Sequence, residues 1–268
     1  MNPKLVLAEI LAEAVRDVWD GRRDLFALAA LPVLALSIFA AVMNLILGPV
    51  IFAMPMEGAG DEVVTPMMAS AVIFHVVAFA FAQLVLVALF AVAWHRRYLV
   101  PGEKPTVLHA VQWEPRKLRY LLRLIGIMVI ALAFSIAPGA VLAGILGNQI
   151  LAVAVSFAVG LTMIGRLFLA LPATAVDQDA SFGHAWTIGK GGTFQLMGMT
   201  VIPTAVTNLG GLLITSPLAA ILAGFGAAES VTGAFLVNLV AGAVSFAGYA
   251  VMTTAYSIAW IRLSNQPS

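Results

Sequence analysis

Few side chains able to do acid–base or binding chemistry fall inside the long apolar stretches of this sequence. They include Asn44, His75, Gln83 and Asn208. His75 is the one ionisable group well inside such a stretch, eight residues before Gln83. An imidazole in that setting either relays a proton or holds a ligand, or it sits neutral and hydrogen-bonded to a neighbouring helix. Together the four define a candidate polar site within the apolar region. Asn44, Asn208 and Asn238 equally suit hydrogen bonds between helices.

A second set lies at the ends of the apolar stretches. Arg96, Arg166 and Arg262 each close one of them. Brought together they would form a cationic ring for a lipid headgroup or an anionic solute. Taken singly, each is accounted for by a long side chain reaching toward the membrane surface. Arg166 is the strongest member, because apolar residues surround it from Leu161 to Ala173.

Other chemistry finds little footing. No acidic residue falls mid-stretch, no carboxylates pair, and no serine–histidine–aspartate arrangement lies within an apolar stretch. The absence of cysteine removes thiolate nucleophiles and thiolate metal sites. His95, His109 and His184 lack the carboxylate spacing of a metal site. Gly189-Lys190-Gly191-Gly192 lacks the phosphate-loop spacing and follows no strand. No catalytic residue, cofactor or metal is expected, and the chain does not read as an enzyme.

The elements that must carry these residues follow from composition. Of 268 residues, 62% are hydrophobic and 10% charged, against about 45–50% and about 25% in soluble domains. A soluble fold could not hide that apolar surface, so a bilayer must be its solvent. Six segments have the roughly 20 apolar residues a span needs: about 25–53, 67–94, 119–146, 150–172, 194–226 and 232–262. Gly147, Asn148 and Gln149 separate the third from the fourth and predict a tight hairpin; residues 227–231 predict another. Residues 1–24 lack the short apolar core of a cleaved signal, so the first span is expected to remain as an anchor.

All 14 lysines and arginines map to one side, while Glu57, Asp61, Glu62 and Glu229 map to the other. The basic side is expected to be cytoplasmic, with both termini there. Trp19, Trp94, Trp113, Trp186 and Trp260 map to the same side, at the depth indole rings favour. Residues 95–123 carry a net charge of +5 and suit anionic headgroups. Residues 1–24 carry −1 and suit packing on the protein's own basic loops or on a partner.

Each odd-numbered span is preceded by a segment suited to a surface helix: residues 4–20, about 105–114 and about 180–189. In the first, Leu7, Leu11, Ala14, Val15 and Val18 recur at helical spacing. Glu13-Ala14-Val15 aligns with His109-Ala110-Val111 and His184-Ala185-Trp186, and Pro32 with Pro203. The expected fold class is an all-α membrane protein, a six-transmembrane-helix bundle forming a single domain over 1–268. It would be built from three parallel repeats of surface helix plus hairpin, in units of about 1–97, 98–172 and 173–268.

Arg166, Pro172, Ala185-Trp186 and the run from Gly189 to Gly192 lie within residues 166–198. That stretch resembles a signature of bacterial six-span membrane proteins of the YciC type, and of the membrane domain beside some glycerophosphodiester phosphodiesterases. The resemblance implies a helical membrane bundle without a transferable catalytic motif. The chain has no soluble phosphodiesterase domain, so that activity does not carry over.

The expected function is that of a non-enzymatic, partner- or lipid-interacting bundle in a bacterial cell inner membrane. The alternative is a small-solute or lipid transporter using Asn44, His75, Gln83 and Asn208. The expected partners are anionic lipid headgroups at the cytoplasmic face and a protein partner or a homo-oligomer; net charge +1 gives no reason to expect nucleic acid.

Overall fold

A computed structural model describes residues 5–52, 66–104, 106–178, 180–227 and 230–264. Within them the chain forms α1 (Leu7–Asp20), α2 (Arg22–Phe52), α3 (Pro66–Leu99), α4 (Pro115–Leu146), α5 (Gln149–Leu167), α6 (Ala170–Ala175), α7 (Phe182–Ile188), α8 (Thr193–Gly224) and α9 (Val231–Ser264). Six helical segments are long and apolar enough to cross a membrane. They match the six expected spans, so the chain is a multi-pass, all-helical membrane protein. Glu57, Asp61, Glu62 and Glu229 lie outside the described residues.

Local sequence sets the helix ends. Pro115 opens α4, where its missing N–H costs nothing. Gly147 closes that helix with φ 61°, a left-handed conformation that glycine adopts without penalty. The Asn148 side chain then accepts the Leu151 N–H and starts α5. The expected hairpin is therefore a two-residue turn. Ser181 caps α7 in the same way, accepting the His184 N–H.

The fourth span departs from the expected single helix over 150–172. It breaks at Phe168 and Leu169 before resuming as α6. Pro172 has no N–H for the Phe168 carbonyl, which accepts instead from Leu171 in a tighter turn.

The six spans close into a ring in chain order. α2 packs on α3, α3 on α4, α4 on α5, α5 on α8, α8 on α9, and α9 back on α2. α3 also meets α9 across the ring. Buried side chains gather at the end where the basic residues lie: Ala88–Trp94 of α3, Tyr120–Ile127 positions of α4, and Thr253–Trp260 of α9. All six residues of α6 are buried there, among α3, α4 and α9. α1 lies across α9 and α8 with Ile10, Ala14 and Val18 inward. Toward the opposite end, many large apolar side chains remain exposed, including Ile145, Ile150 and Phe225.

The leading segments of the three hairpins are unequal. The first is the 14-residue α1, in which Val15 faces outward at 54% exposure rather than joining the inner face. The third is α7, seven residues long. The second, expected as a helix over about 105–114, is only a 3-10 turn at Val107–Ala110. Glu114 is held extended ahead of Pro115, as a residue before proline prefers, so that helix cannot continue. The hairpin order is established by the fold; a repeated unit is not. The borders drawn at 97/98 and 172/173 fall inside α3 and α6.

Candidate functional site

The basic end is held together by ion pairs between elements. Arg97 of α3 reaches Asp17 of α1 and Asp24 of α2, each at 2.8 Å. Its guanidinium also lies 4.7 Å from the centroid of the Trp94 ring, a cation–π contact. Arg262 of α9 pairs with Glu13 of α1 at 2.7 Å. Two of the four carboxylates of α1, Glu13 and Asp17, are thus paired by the bundle itself. Arg116 pairs with Glu114 and Asp177, and Arg119 with Asp177. Lys117 is buried, donating to the His109 and Gln112 carbonyls at the end of the 3-10 turn.

Just inside this frame lies a cluster of buried polar side chains on α3, α4 and α9. His95 is 1% exposed. Its Nδ1 meets Ser257 Oγ at 2.8 Å, and its Nε2 meets the Tyr120 hydroxyl at 3.3 Å. The neighbouring Trp94 donates its Nε1–H to Thr254 at 2.8 Å. Tyr256 donates to the Leu196 carbonyl and meets Thr200 at 2.7 Å. Farther along, Gln83 Nε2 donates to the Tyr249 hydroxyl at 2.7 Å. On α9, Ser245, Tyr249, Thr253 and Ser257 recur every fourth residue and so make one polar stripe.

Two small cavities adjoin that stripe. One, about 40 Å³, is lined by His95, Tyr120, Tyr249, Thr253 and Tyr256 among apolar groups. The other, also about 40 Å³, is lined by Thr204, Thr207, Asn208, Ser245 and Tyr249. Each has room for a few water molecules. A third, about 110 Å³, lies among the paired charges of Arg96, Glu103, Glu114 and Arg116.

The proposed cationic ring is divided among three different partners. Arg96 makes two bonds to the Glu103 carboxylate, at 2.8 and 2.5 Å. Arg262 belongs to Glu13. Arg166 donates to Thr193 Oγ1 at 2.8 and 2.5 Å and lies 4.3 Å from the Trp186 ring centroid. Arg166 is the member without a carboxylate partner among the described residues.

The intramembrane set is likewise dispersed. Gln83 and Asn208 approach the same small region through Tyr249. His75 is half-buried, stacks against Phe79 at 6.5 Å, and its buried Nδ1 has no partner among the described residues. His75 and Asn44 line neither of the cavities beside the α9 stripe. Asn238 bonds the Ala234 carbonyl of its own helix rather than another helix.

A groove of about 980 Å³ lies between α4 and α5. Its walls include Leu132, Ile136, Ala140, Val153 and Phe157. Two serine–glycine contacts set the width of the hairpin: Ser156 packs on Gly139 and Ser135 on Gly160. Both pairs are equidistant in sequence from the Gly147–Asn148 turn, so the register is that of a simple antiparallel hairpin.

The sequence alone does not reveal the His95 cluster; there His95 is weighed only with His109 and His184 as a metal ligand. The signal that could have found it was the fourfold spacing of hydroxyl residues on α9. The histidines His95, His109 and His184 engage separately: His109 accepts from the Thr106 N–H, and the His184 N–H donates to Ser181. No three metal-ligating side chains gather among the described residues. Trp94 is fully buried and Trp260 nearly so; only Trp19 and Trp113 stand well exposed, at 69% and 52%. Two of the five indoles are thus packing groups rather than interfacial anchors. Compared with protein-family models, with curated proteins and with solved structures, the chain matches none of them.

Proposed function

We propose that this chain is a non-enzymatic, lipid-binding membrane bundle of a bacterial inner membrane, with its basic end and both termini in the cytoplasm. The observation that carries the proposal is the contrast between the cavities. The groove between α4 and α5 is about 980 Å³ and mostly apolar, whereas the cavities beside the α9 stripe are about 40 Å³ each. Phospholipid acyl chains fit the groove, because they ask for no hydrogen bonds and its walls offer few. The uneven charge favours a cytoplasmic basic end. The resemblance of residues 166–198 to YciC-type membrane proteins belongs to the same reading, as does a threefold origin of the hairpins.

Native mass spectrometry of protein released directly from membranes is expected to find retained phospholipid. Ala140→Trp, which places an indole in the groove and obstructs it, is expected to lose it. Unchanged retention in that variant refutes the groove as the lipid site, and a co-purifying protein without lipid refutes lipid as the occupant.

A transporter is the second reading, favoured by the polar stripe on α9 and the two cavities that share Tyr249 and Met252. It requires those cavities to join and open. Solute uptake into proteoliposomes that is lost in Tyr249→Leu would favour it over the lipid-binding bundle.

A further inference from the structure

Three faces follow one another around α1. Ile10, Ala14 and Val18 are buried against the bundle. Glu9, Glu13, Arg16 and Asp20 are exposed and share a second face, at intervals of four, three and four residues. Ala8, Ala12, Val15 and Trp19 are exposed and share the third, at the same intervals. A helix lying on a protein surface in water needs one apolar face. α1 has two, and the bundle covers only the first.

The contacts of α1 fix the direction of the uncovered face. α1 packs on α9, α8 and α2, three consecutive members of the ring. Every residue of α9 from Thr253 to Trp260 is buried, and α1 covers the outer wall of the ring there. On the border between the buried and polar faces, Asp17 holds Arg97 and Glu13 holds Arg262. Both arginines belong to the last turns of their helices. The polar face is thus turned toward the ends of the spans, away from the membrane. On the opposite border, Leu7 lies against Gly198. Gly198 is five residues into α8, roughly 8 Å along the span at about 1.5 Å per residue. The apolar stripe beyond Leu7 and Leu11 therefore points back along the spans, toward hydrocarbon.

The neighbours of the stripe suit that depth. Trp19 presents an exposed indole at its end. Across Gly21, Phe26 is exposed in the second turn of the span α2. Arg22 donates to the Trp19 carbonyl at 3.1 Å, with its guanidinium 5.7 Å from the indole centroid. Arg16, Arg22 and Arg23 are exposed and pair with no carboxylate among the described residues. Apolar side chains flanked by uncommitted guanidinium groups match a phospholipid layer, with acyl chains below and phosphates beside the arginines.

We propose that the Ala8, Ala12, Val15 and Trp19 stripe lies in the phospholipid leaflet at the basic end. α1 is then an interfacial helix, tied to the ring by one apolar face and seated in lipid by the other. The site is separate from the groove between α4 and α5, and the occupant of that groove has no bearing on it.

Because the chain has no cysteine, one nitroxide label reports one position. The full chain is labelled at Val15→Cys or Ala12→Cys on the stripe, and at Asp20→Cys or Glu9→Cys on the polar face. All four positions are exposed, so no packed side chain is displaced. In vesicles of phosphatidylcholine and phosphatidylglycerol, labels on the stripe are expected to collide more with oxygen, which dissolves in lipid, than with a water-soluble nickel chelate. Labels on the polar face are expected to show the reverse. The same balance of the two reagents on both faces would overturn the proposal, because the stripe would then have no lipid-facing side. Stripe labels screened from both reagents would overturn it as well, because protein, a second copy of this chain, would then be what covers the stripe.

Discussion

The guanidinium of Arg97 lies against Gly21 so closely that a Cβ at residue 21 would overlap it. That contact sits at the junction of α1 and α2, where Arg97 also holds Asp17 and Asp24. One arginine thereby ties three helices at the basic end. Gly21→Ala is expected to push the guanidinium off both carboxylates and loosen α1. Limited proteolysis should then cut near residues 20–25 at protease levels that leave the parent chain intact.

Removing the arginine itself tests the same tie more directly. Arg97→Ala leaves Asp17 facing a mostly buried surface, while Asp24, at 40% side-chain exposure, keeps much of its hydration. The expected loss is about 2 kcal/mol, below that for a fully buried pair because of this exposure. A detergent-solubilised thermal melt checks it, and an unchanged melting temperature would mean that α1 is held by its apolar face alone.

His95→Phe is expected to destabilise the bundle by about 1–3 kcal/mol. Phenylalanine fits the space approximately but strands the Tyr120 hydroxyl, which now meets the imidazole, whereas Ser257 keeps its bond to the Thr253 carbonyl. Combining it with Tyr120→Phe should recover part of the loss, since that removes the unpaired group. A double-mutant cycle on unfolding midpoints reads the coupling.

The α4–α5 hairpin makes a steric prediction. A methyl at Gly139 would overlap the Ser156 hydroxyl. Gly139→Ala alone should cost about 1–3 kcal/mol by forcing the helices apart. Gly139→Ala with Ser156→Ala should cost less than the single change, because the overlapping oxygen is gone. Equal costs would show that the helices separate freely.

Orientation is open to labelling from each side. With Lys104→Cys as the sole cysteine, a membrane-impermeant maleimide is expected to react only after cells are permeabilised. Reaction in intact cells would reverse the assignment of the basic end.

The span count, their limits and the gathering of basic residues at one end were readable in the sequence, because they depend on summed hydropathy over some 20 residues and not on contacts. Gly147 and Asn148 were equally legible, since a left-handed glycine followed by a capping asparagine is local chemistry. The segment at 105–114 misled, because its apolar spacing suits a helix while Pro115 denies it one. His95 and Arg96 are adjacent in sequence yet one is sealed among hydroxyls and the other bound to Glu103. Ser257 and Tyr120 stand 162 and 25 residues from His95. Only the closure of α9 and α4 against α3 brings them together, and a periodicity within one helix carries no information about which neighbour it will face. Asn208 shows the converse: its depth follows from the sequence, but the small cavity that it lines with Ser245 and Tyr249 is decided by how α9 packs on α8.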